Sequence, residues 1–356
     1  MVMYTKDDMI ILRNDINNYL NDPKFKGTYI LSYYYLSKTL FFFILWSLLI
    51  HNYTSYNYRI IIIDSLFSLF WGMLVIRSFI LFHDCGHGSF IQNIKNHKLH
   101  NWICLNITSV LCSTPSDWNI GHKLHHNNIG KLGQDDYDWG ETIFHTKEQY
   151  IKKSRFERKI IRILRYPPFF FILAPALTWY IRMRLPFELR KDRKAAYRTS
   201  NKIINTTTML LKYNFAYKNN IFAIVLFGDY IGMFIGVLLF HLQHVFENGY
   251  VRNIKKNEEW KLIDAALDGS SMITIPKYLK WVTLGIEYHH IHHLVTKIPG
   301  YNLTTVHENA PHHIFKNIKI LNYKTMYESL WLEIWDEDKQ KYTTFSNIEK
   351  ELLTTF

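Results

Sequence analysis

The chain has 356 residues, 48% of them hydrophobic, including 24 Phe, 24 Tyr and 10 Trp, which is ample for a large core. The net charge is +12, but Lys and Arg flank apolar blocks instead of forming a basic stripe interleaved with aromatics. That pattern argues against nucleic acid and for the loops of a membrane protein. Three cysteines, Cys85, Cys104 and Cys112, exclude a disulfide framework and suit a reducing compartment.

Residues 1–28 are polar, and the apolar run after them is too long for the core of a secretory signal. Residues 29–50 form a first apolar run, broken only by Lys38, and residues 60–82 form a second that carries Asp64 and Arg77. Each is close to the roughly 20 residues that cross a bilayer core. The short link between them makes 29–82 a transmembrane helical hairpin. Asp64 and Arg77 should face the protein interior or a helix end, because charge facing lipid is costly. Lys6, Arg13, Lys24 and Lys26 precede the first run, while the hairpin loop holds only Arg59. The positive-inside bias therefore puts the N-terminus, and whatever follows the second run, in the cytoplasm.

Residues 83–165 are mostly polar or amphipathic and read as a cytosolic region, with 103–112 at the interface. Residues 166–244 form a second transmembrane region. Within it, 167–180 is apolar but contains three prolines, 203–217 is weaker, and 221–242 is a clear span despite Asp229. Residues 245–356 return to the cytosol and end in a polar tail. No repeat or linker divides the chain, so 1–356 reads as a single domain.

Three histidine clusters carry the chemistry. His83 and His87 read H-x3-H; His122, His125 and His126 read H-x2-H-H, as do His289, His292 and His293. On a helix, residues three and four apart share a face, so each cluster can aim its imidazoles at one point. Neutral imidazole is the commonest protein metal ligand, and three convergent clusters exceed the needs of one tetrahedral ion. The clusters predict a nitrogen-rich site for two metals. A zinc hydrolase would need only three protein ligands and a base, so a redox pair that activates O2 fits better, with iron as the metal. All three clusters should lie at one membrane face. An even number of spans must then separate the second from the third, giving four in total, with the third near 168–185 or 203–218. His97 with His100 lacks a third histidine, His312 with His313 lacks the spacing, and both pairs read as surface residues. Cys85 inside the first cluster reads as a small filler.

These motifs resemble the three histidine boxes of the membrane fatty acid desaturases. FHDCGHGSF (82–90) is similar to the first box, DWNIGHKLHHNN (117–128) to the second, and YHHIHHLVTKIPGYNL (288–303) to the third. LQHVFENGYV (242–251) and AALDGSS (265–271) also fall in family order, closest to the bacterial-type acyl-lipid desaturases of the delta-12/omega-6 group. The resemblance implies an all-α integral membrane protein with about four transmembrane helices and a cytosolic helical cap holding a histidine-ligated di-iron site. It implies removal of two hydrogens from adjacent methylenes, with O2 reduced to water by two electrons from an external donor. The eight box histidines carry over as ligands of two Fe ions, and His244 matches a ninth. His290 falls off the box pattern and reads as a non-ligand.

His241 shares a helix face with His244 and either orients a ligand or is a polar helix-end residue. Asp84, Asp136 and Glu247 are nearby carboxylates that could orient the ligands, and the resemblance favours Asp136 and Glu247. Trp118 and Trp139 either wall the substrate region or anchor at the interface. It implies an acyl-lipid or acyl-CoA substrate. No cytochrome b5 motif is present, so ferredoxin or cytochrome b5 is expected as a separate electron donor. Basic runs at 152–159 and 188–194 could dock an acidic donor or an anionic membrane. The active site is expected on the cytoplasmic face of an inner membrane or the endoplasmic reticulum. Rival readings are a hydroxylase, acetylenase or carotenoid oxygenase on the same scaffold. A non-catalytic metal-binding or transport protein is the rival from another class.

Overall fold

The computed structural model describes residues 6–56, 59–132, 145–185, 195–256 and 258–354. A short helix, α1 (Lys6–Leu20), leads to α2 (Tyr29–Ser55), whose first turn is capped by the Thr28 side chain accepting from Leu31 N at 3.3 Å. α3 (Ile61–His87) returns alongside it. The cross-links Thr39–Arg77, Trp46–Phe67 and Tyr53–Ile60 run in opposite chain directions, so the two helices form the expected antiparallel hairpin. α3 does not stop at Phe82, as the apolar run suggested. Nothing breaks the helix until Gly88, which ends it at φ +65°, so His83 and His87 sit in its last turns.

α4 (His97–Cys112) lies along α3, and α5 (Trp118–Asn128) carries the second cluster. After α6 (Lys147–Ile151) come α7 (Arg155–Arg165) and α8 (Pro167–Ala176), the latter continuing as a π-helical turn to Arg182. Pro167 and Pro168 break the path, and the two segments meet at 74°. α9 (Ala195–Lys218) and α10 (Phe222–His244) form a second antiparallel pair. The cap then adds α11 (Leu262–Asp268), α12 (Lys280–Thr283), α13 (His289–Leu294), α14 (Gly300–Glu308), α15 (Tyr323–Ser329) and α16 (Phe345–Thr354).

The fold is mostly helical, but the expectation of helices alone needs correcting. Three small sheets staple the cap: β1 (Lys131–Leu132) with β3 (Arg252–Asn253), β2 (His145–Thr146) with β6 (Ile334–Asp336) and β7 (Lys341–Thr343), and β4 (Ser271–Ile273) with β5 (Lys319–Leu321). Strands of two or three residues are too short to show an alternating pattern in sequence.

Among the described residues, three helical segments are long and apolar enough to cross a membrane: Pro23–Ser55, Ile61–His87 and Phe222–His244. The bent pair Arg155–Arg165 and Pro167–Arg182 would raise the number to four if it counts as one span. Arg77 is buried, donating to Thr39 Oγ1 at 2.8 Å and to the Trp281 carbonyl, whereas Asp64 sits at the helix end, 2.8 Å from Arg59. Both meet the requirement that charge avoid lipid.

Glycines set the distance between α3 and α10. A Cβ at Gly228 would lie 2.5 Å from Trp71 Cδ1, and one at Gly232 would lie 2.6 Å from Val75 Cγ1. Small residues let the two backbones approach, as membrane helix pairs require. The Gly228→Ala variant should lose about 1–3 kcal/mol through overpacking. At Gly236 the nearest atom to an added Cβ is Ile76 Cδ1 at 3.4 Å, so Gly236→Ala should be neutral or stabilising by up to about 1 kcal/mol. Thermal unfolding in detergent compares the two, and equal midpoints would refute this account of the interface.

Candidate metal centre

The nine histidines come from the ends of α3 and α10 and from the short helices α5 and α13. All are 8% exposed or less. They sort into two groups, and within each group the candidate ligand nitrogens lie within 4.8 Å of one another. His83, His87, His122, His126 and His292 form the first; His125, His244, His289 and His293 form the second.

Helical spacing produces this sorting. His122 and His126 are four apart and share a face, as are His289 and His293. The intervening His125 and His292 sit about 100° around their helices from their immediate neighbours. Each H-x2-H-H box therefore supplies both groups. The adjacent rings of His126 and His293, one from each group, stack at 4.2 Å.

In the first group, His122 Nε2 lies 2.9 Å from His83 Nε2 and 3.0 Å from His126 Nε2, which is 2.9 Å from His292 Nε2. In the second, His244 Nε2 lies 3.1 Å from His125 Nε2 and 3.0 Å from His289 Nε2, which is 3.1 Å from His293 Nε2. One ring nitrogen carries either a proton or a lone pair. A single Nε2 facing two others cannot satisfy both as a directed donor, whereas lone pairs all converging on a cation satisfy every one. The donor set thus fits a metal in each group.

Burial pushes the imidazoles of His122, His126, His289, His292 and His293 well below their usual pKa, and neighbouring imidazoles push the same way. These rings are held neutral, the form that ligates. Two contacts also select the tautomer. His83 Nδ1 donates to Asp84 Oδ1 at 3.3 Å, and Asp84 Oδ2 accepts from Gly300 N at 2.7 Å. His244 Nδ1 donates to the Gly269 carbonyl at 3.2 Å. Both leave Nε2 free to point inward.

Other sequence candidates separate clearly. Trp118 stacks on His122 at 4.3 Å and 20°, against Phe79 and Phe82. His241 lies outside both groups, with Nε2 2.9 Å from the Ser329 carbonyl. Glu247 touches no imidazole of the groups: it pairs with Lys341 at 3.2 Å on the surface, because the chain leaves the helix at Val245. Asp136 and Trp139 lie outside the described residues, as does the basic run 188–194. Cys85 is buried and belongs to neither group. His290, buried but pointing to His307 and Phe315, is also outside both. His100 meets Tyr33 at 2.8 Å, and His313 meets Asp15 at 3.1 Å.

Sequence reasoning on side chains missed three supports. They are the Gly269 carbonyl, the Gly300 amide and Lys297, whose Nζ donates to the His87 carbonyl at 2.7 Å. The only signal for the first was the AALDGSS stretch.

A family model described as fatty acid desaturase matches residues 60–321. The chain belongs to the fatty acid desaturase family. A fatty acid desaturase of Bacillus subtilis is 35% identical over 280 residues, which is 77% of this chain and 75% of that protein. The chloroplastic omega-6 fatty acid desaturase of Glycine max is 25% identical, over 74% of this chain and 62% of its own. A chloroplastic sn-2 acyl-lipid omega-3 desaturase (ferredoxin) of Arabidopsis thaliana is also 25% identical, over 68% of this chain and 53% of its own. This desaturase is accordingly an oxidoreductase of fatty acyl chains, and its apolar helices fit a membrane protein.

The two groups make separable demands on metal content. Replacing His125 or His292 with Ala should each remove about one metal ion per chain, read by elemental analysis of purified protein. His312→Ala should leave the content unchanged. A full complement in the His125→Ala protein would remove that residue from the ligand set.

Proposed function

We propose that this desaturase introduces a cis double bond into a lipid-linked acyl chain at two iron ions held by His83, His87, His122, His126 and His292 on one side and His125, His244, His289 and His293 on the other. The observation that supports this most directly is the pair of interlocked imidazole groups buried where apolar α3 and α10 end. The overall change converts –CH2–CH2–, O2, two electrons and two protons into –CH=CH– and two waters.

Bound iron would supply the O2 and hydrogen-removing chemistry. The chain's own work is positioning. Asp84 and the Gly269 carbonyl hold His83 and His244 in the ligating tautomer, and Trp118 stacked on His122 limits that ring's rotation. The unreactive acyl chain must be held so that one methylene pair meets the centre. The two electrons come from a separate protein, ferredoxin or cytochrome b5. The ferredoxin named for the Arabidopsis relative supports the first.

The site is read as cytoplasmic, with α2, α3, α9 and α10 as the four crossings. α9 is polar on average, but its exposed face is apolar: Ile203, Leu210, Leu211 and Phe215 are about 60% exposed. Thr207 and Asn214 are exposed, but Lys212 turns inward to pair with the buried Asp229 at 2.6 Å and Asn205 to donate to the Thr114 carbonyl at 2.9 Å. Ser116 beside the second box meets Asn201 at 2.6 Å, and Asn220 meets Arg59 at the far end of the bundle. α9 thus joins the two ends, while α8 enters and turns back.

Expression in a host that lacks polyunsaturated lipids, followed by lipid mass spectrometry with double-bond localisation, tests the reaction. A new alkene at one position is expected; a new hydroxyl or keto group without an alkene would refute it. The topology has its own readout. A Lys218→Cys variant should react with an impermeant maleimide from the non-cytoplasmic side only, because Cys85, Cys104 and Cys112 are buried. Labelling from the cytoplasmic side would overturn the four-crossing reading.

A further inference from the structure

α7 is a strongly two-sided helix: Ile161 packs against the cluster of Tyr150, Ile334, Phe345 and Ile348 and Arg158 pairs with Glu349, while another stripe is left open among the described residues. Its start is fixed by a capping box: Ser154 accepts from Glu157 N, and the Glu157 side chain accepts from Ser154 N at 2.8 Å. Phe156, Ile160, Ile163 and Leu164 fall on one stripe, and they are 72%, 40%, 52% and 53% exposed. Water is a poor neighbour for such a stripe. The 74° elbow into apolar α8 places it where a helix lying in the plane of a membrane surface would sit.

The basic residues of this region divide into two sets. Lys152 pairs with Glu148 at 2.7 Å, Lys153 with Glu157 at 3.5 Å and Arg158 with Glu349 at 3.2 Å. Lys159 and Arg162, one helical step of three apart, have no ion pair among the described residues. Both line a cavity of about 570 Å³ at the elbow, together with Ile163, Tyr166, Phe169 and Trp331. Glu333 is the one carboxylate in its wall; it accepts from Phe345 N at 3.1 Å and offsets part of the charge of Arg162, so with Lys159 the wall stays net positive. The rings of Tyr166 and Trp331 lie 6.2 Å apart, the aromatic pairing favoured at headgroup depth.

One wall of the cavity is linked through the chain to the end of α10. Trp331 follows Ser329 by two residues, and the Ser329 carbonyl accepts from His241, one turn before His244. Phe171 of α8 packs on the same His241 at 5.1 Å. Cations at the polar wall and exposed apolar side chains at the membrane wall match a phosphate with acyl chains attached, rather than a soluble anion.

We infer that the elbow cavity between α7, α8 and the segment 331–346 is a glycerophospholipid docking site, with Lys159 and Arg162 taking the phosphate and the exposed α7 stripe lying on the acyl region. It rests on the membrane part of the proposed function and not on the reaction, so its test reads binding alone. Full-length, metal-replete protein is equilibrated in detergent with an equimolar mixture of phosphatidylglycerol and acyl-matched diacylglycerol, and bound lipid is measured by native mass spectrometry.

Retention of phosphatidylglycerol over diacylglycerol by roughly 10-fold is expected from two surface cations. The double variant K159A/R162A should abolish that preference while keeping its metal content and its monodisperse elution. R155A, a cation of the same helix outside the cavity, should retain it. Absence of preference in the parent protein, or an equal loss in R155A, would overturn the site. Complete displacement of lipid by soluble glycerol phosphate at the same concentration would overturn the lipid in favour of a free phosphate ester. Failure of the membrane reading shows separately, as protein that stays soluble without detergent.

Discussion

Nine imidazoles brought into mutual contact inside a protein impose the constraint on which the rest of this architecture depends. Each ring nitrogen carries a proton or a lone pair, and burial pushes His122, His126, His289, His292 and His293 well below the usual imidazole pKa. A cluster of this kind is costly without a cation and strongly favourable with one. The surrounding structure is arranged accordingly. Four helices end at the site, and the Asp84 carboxylate, the Gly269 carbonyl and Lys297 fix the chain beside it. The Lys297 ammonium on the last carbonyls of α3 also suits the negative end of that helix dipole.

The membrane-facing half obeys a complementary rule. Buried charge is admitted only where a partner waits inside. Asp229 is fully buried in α10, yet it accepts from Trp71 at 2.8 Å, Lys212 at 2.6 Å and Tyr213 at 3.0 Å. Arg77 finds Thr39 and the Trp281 carbonyl, with the Trp281 ring 5.7 Å from its guanidinium. These contacts tie α3 to α2, α9, α10 and the cap, so the polar groups act as cross-links between helices whose outer surfaces only meet lipid.

What could be read from the chain follows from range. The H-x3-H and H-x2-H-H spacings are local, and i, i+3 and i+4 geometry makes them legible without a structure. His244 has no such local partner and was reached only through resemblance. Spacing sets His125 apart from His122 and His126, and His292 apart from His289 and His293, but which of these meet in one group is not legible in sequence, because it depends on how α5 and α13 are placed. Glu247 was misplaced by nearness in sequence: three residues after His244 the chain has already left the helix, and the carboxylate reaches Lys341 instead. The segment 203–217 of α9 reads as only a weak apolar stretch because averaging combines residues that turn inward with exposed apolar ones. The short strands of the cap left no periodic trace.

Splitting each H-x2-H-H box between the two groups has a further consequence. His125 and His126 are joined by one peptide bond but belong to different groups, as do His292 and His293. The two sets of ligands therefore cannot move independently. A rotation of α5 that improves one shell displaces a nitrogen of the other, and α13 transmits the same constraint from the opposite side. Two separate H-x3-H sites would lack this coupling. The adjacent-histidine motif thus does more than add ligands. It makes the spacing of the two histidine groups a property of the backbone, and desaturation of one methylene pair in a uniform chain calls for such a fixed reference.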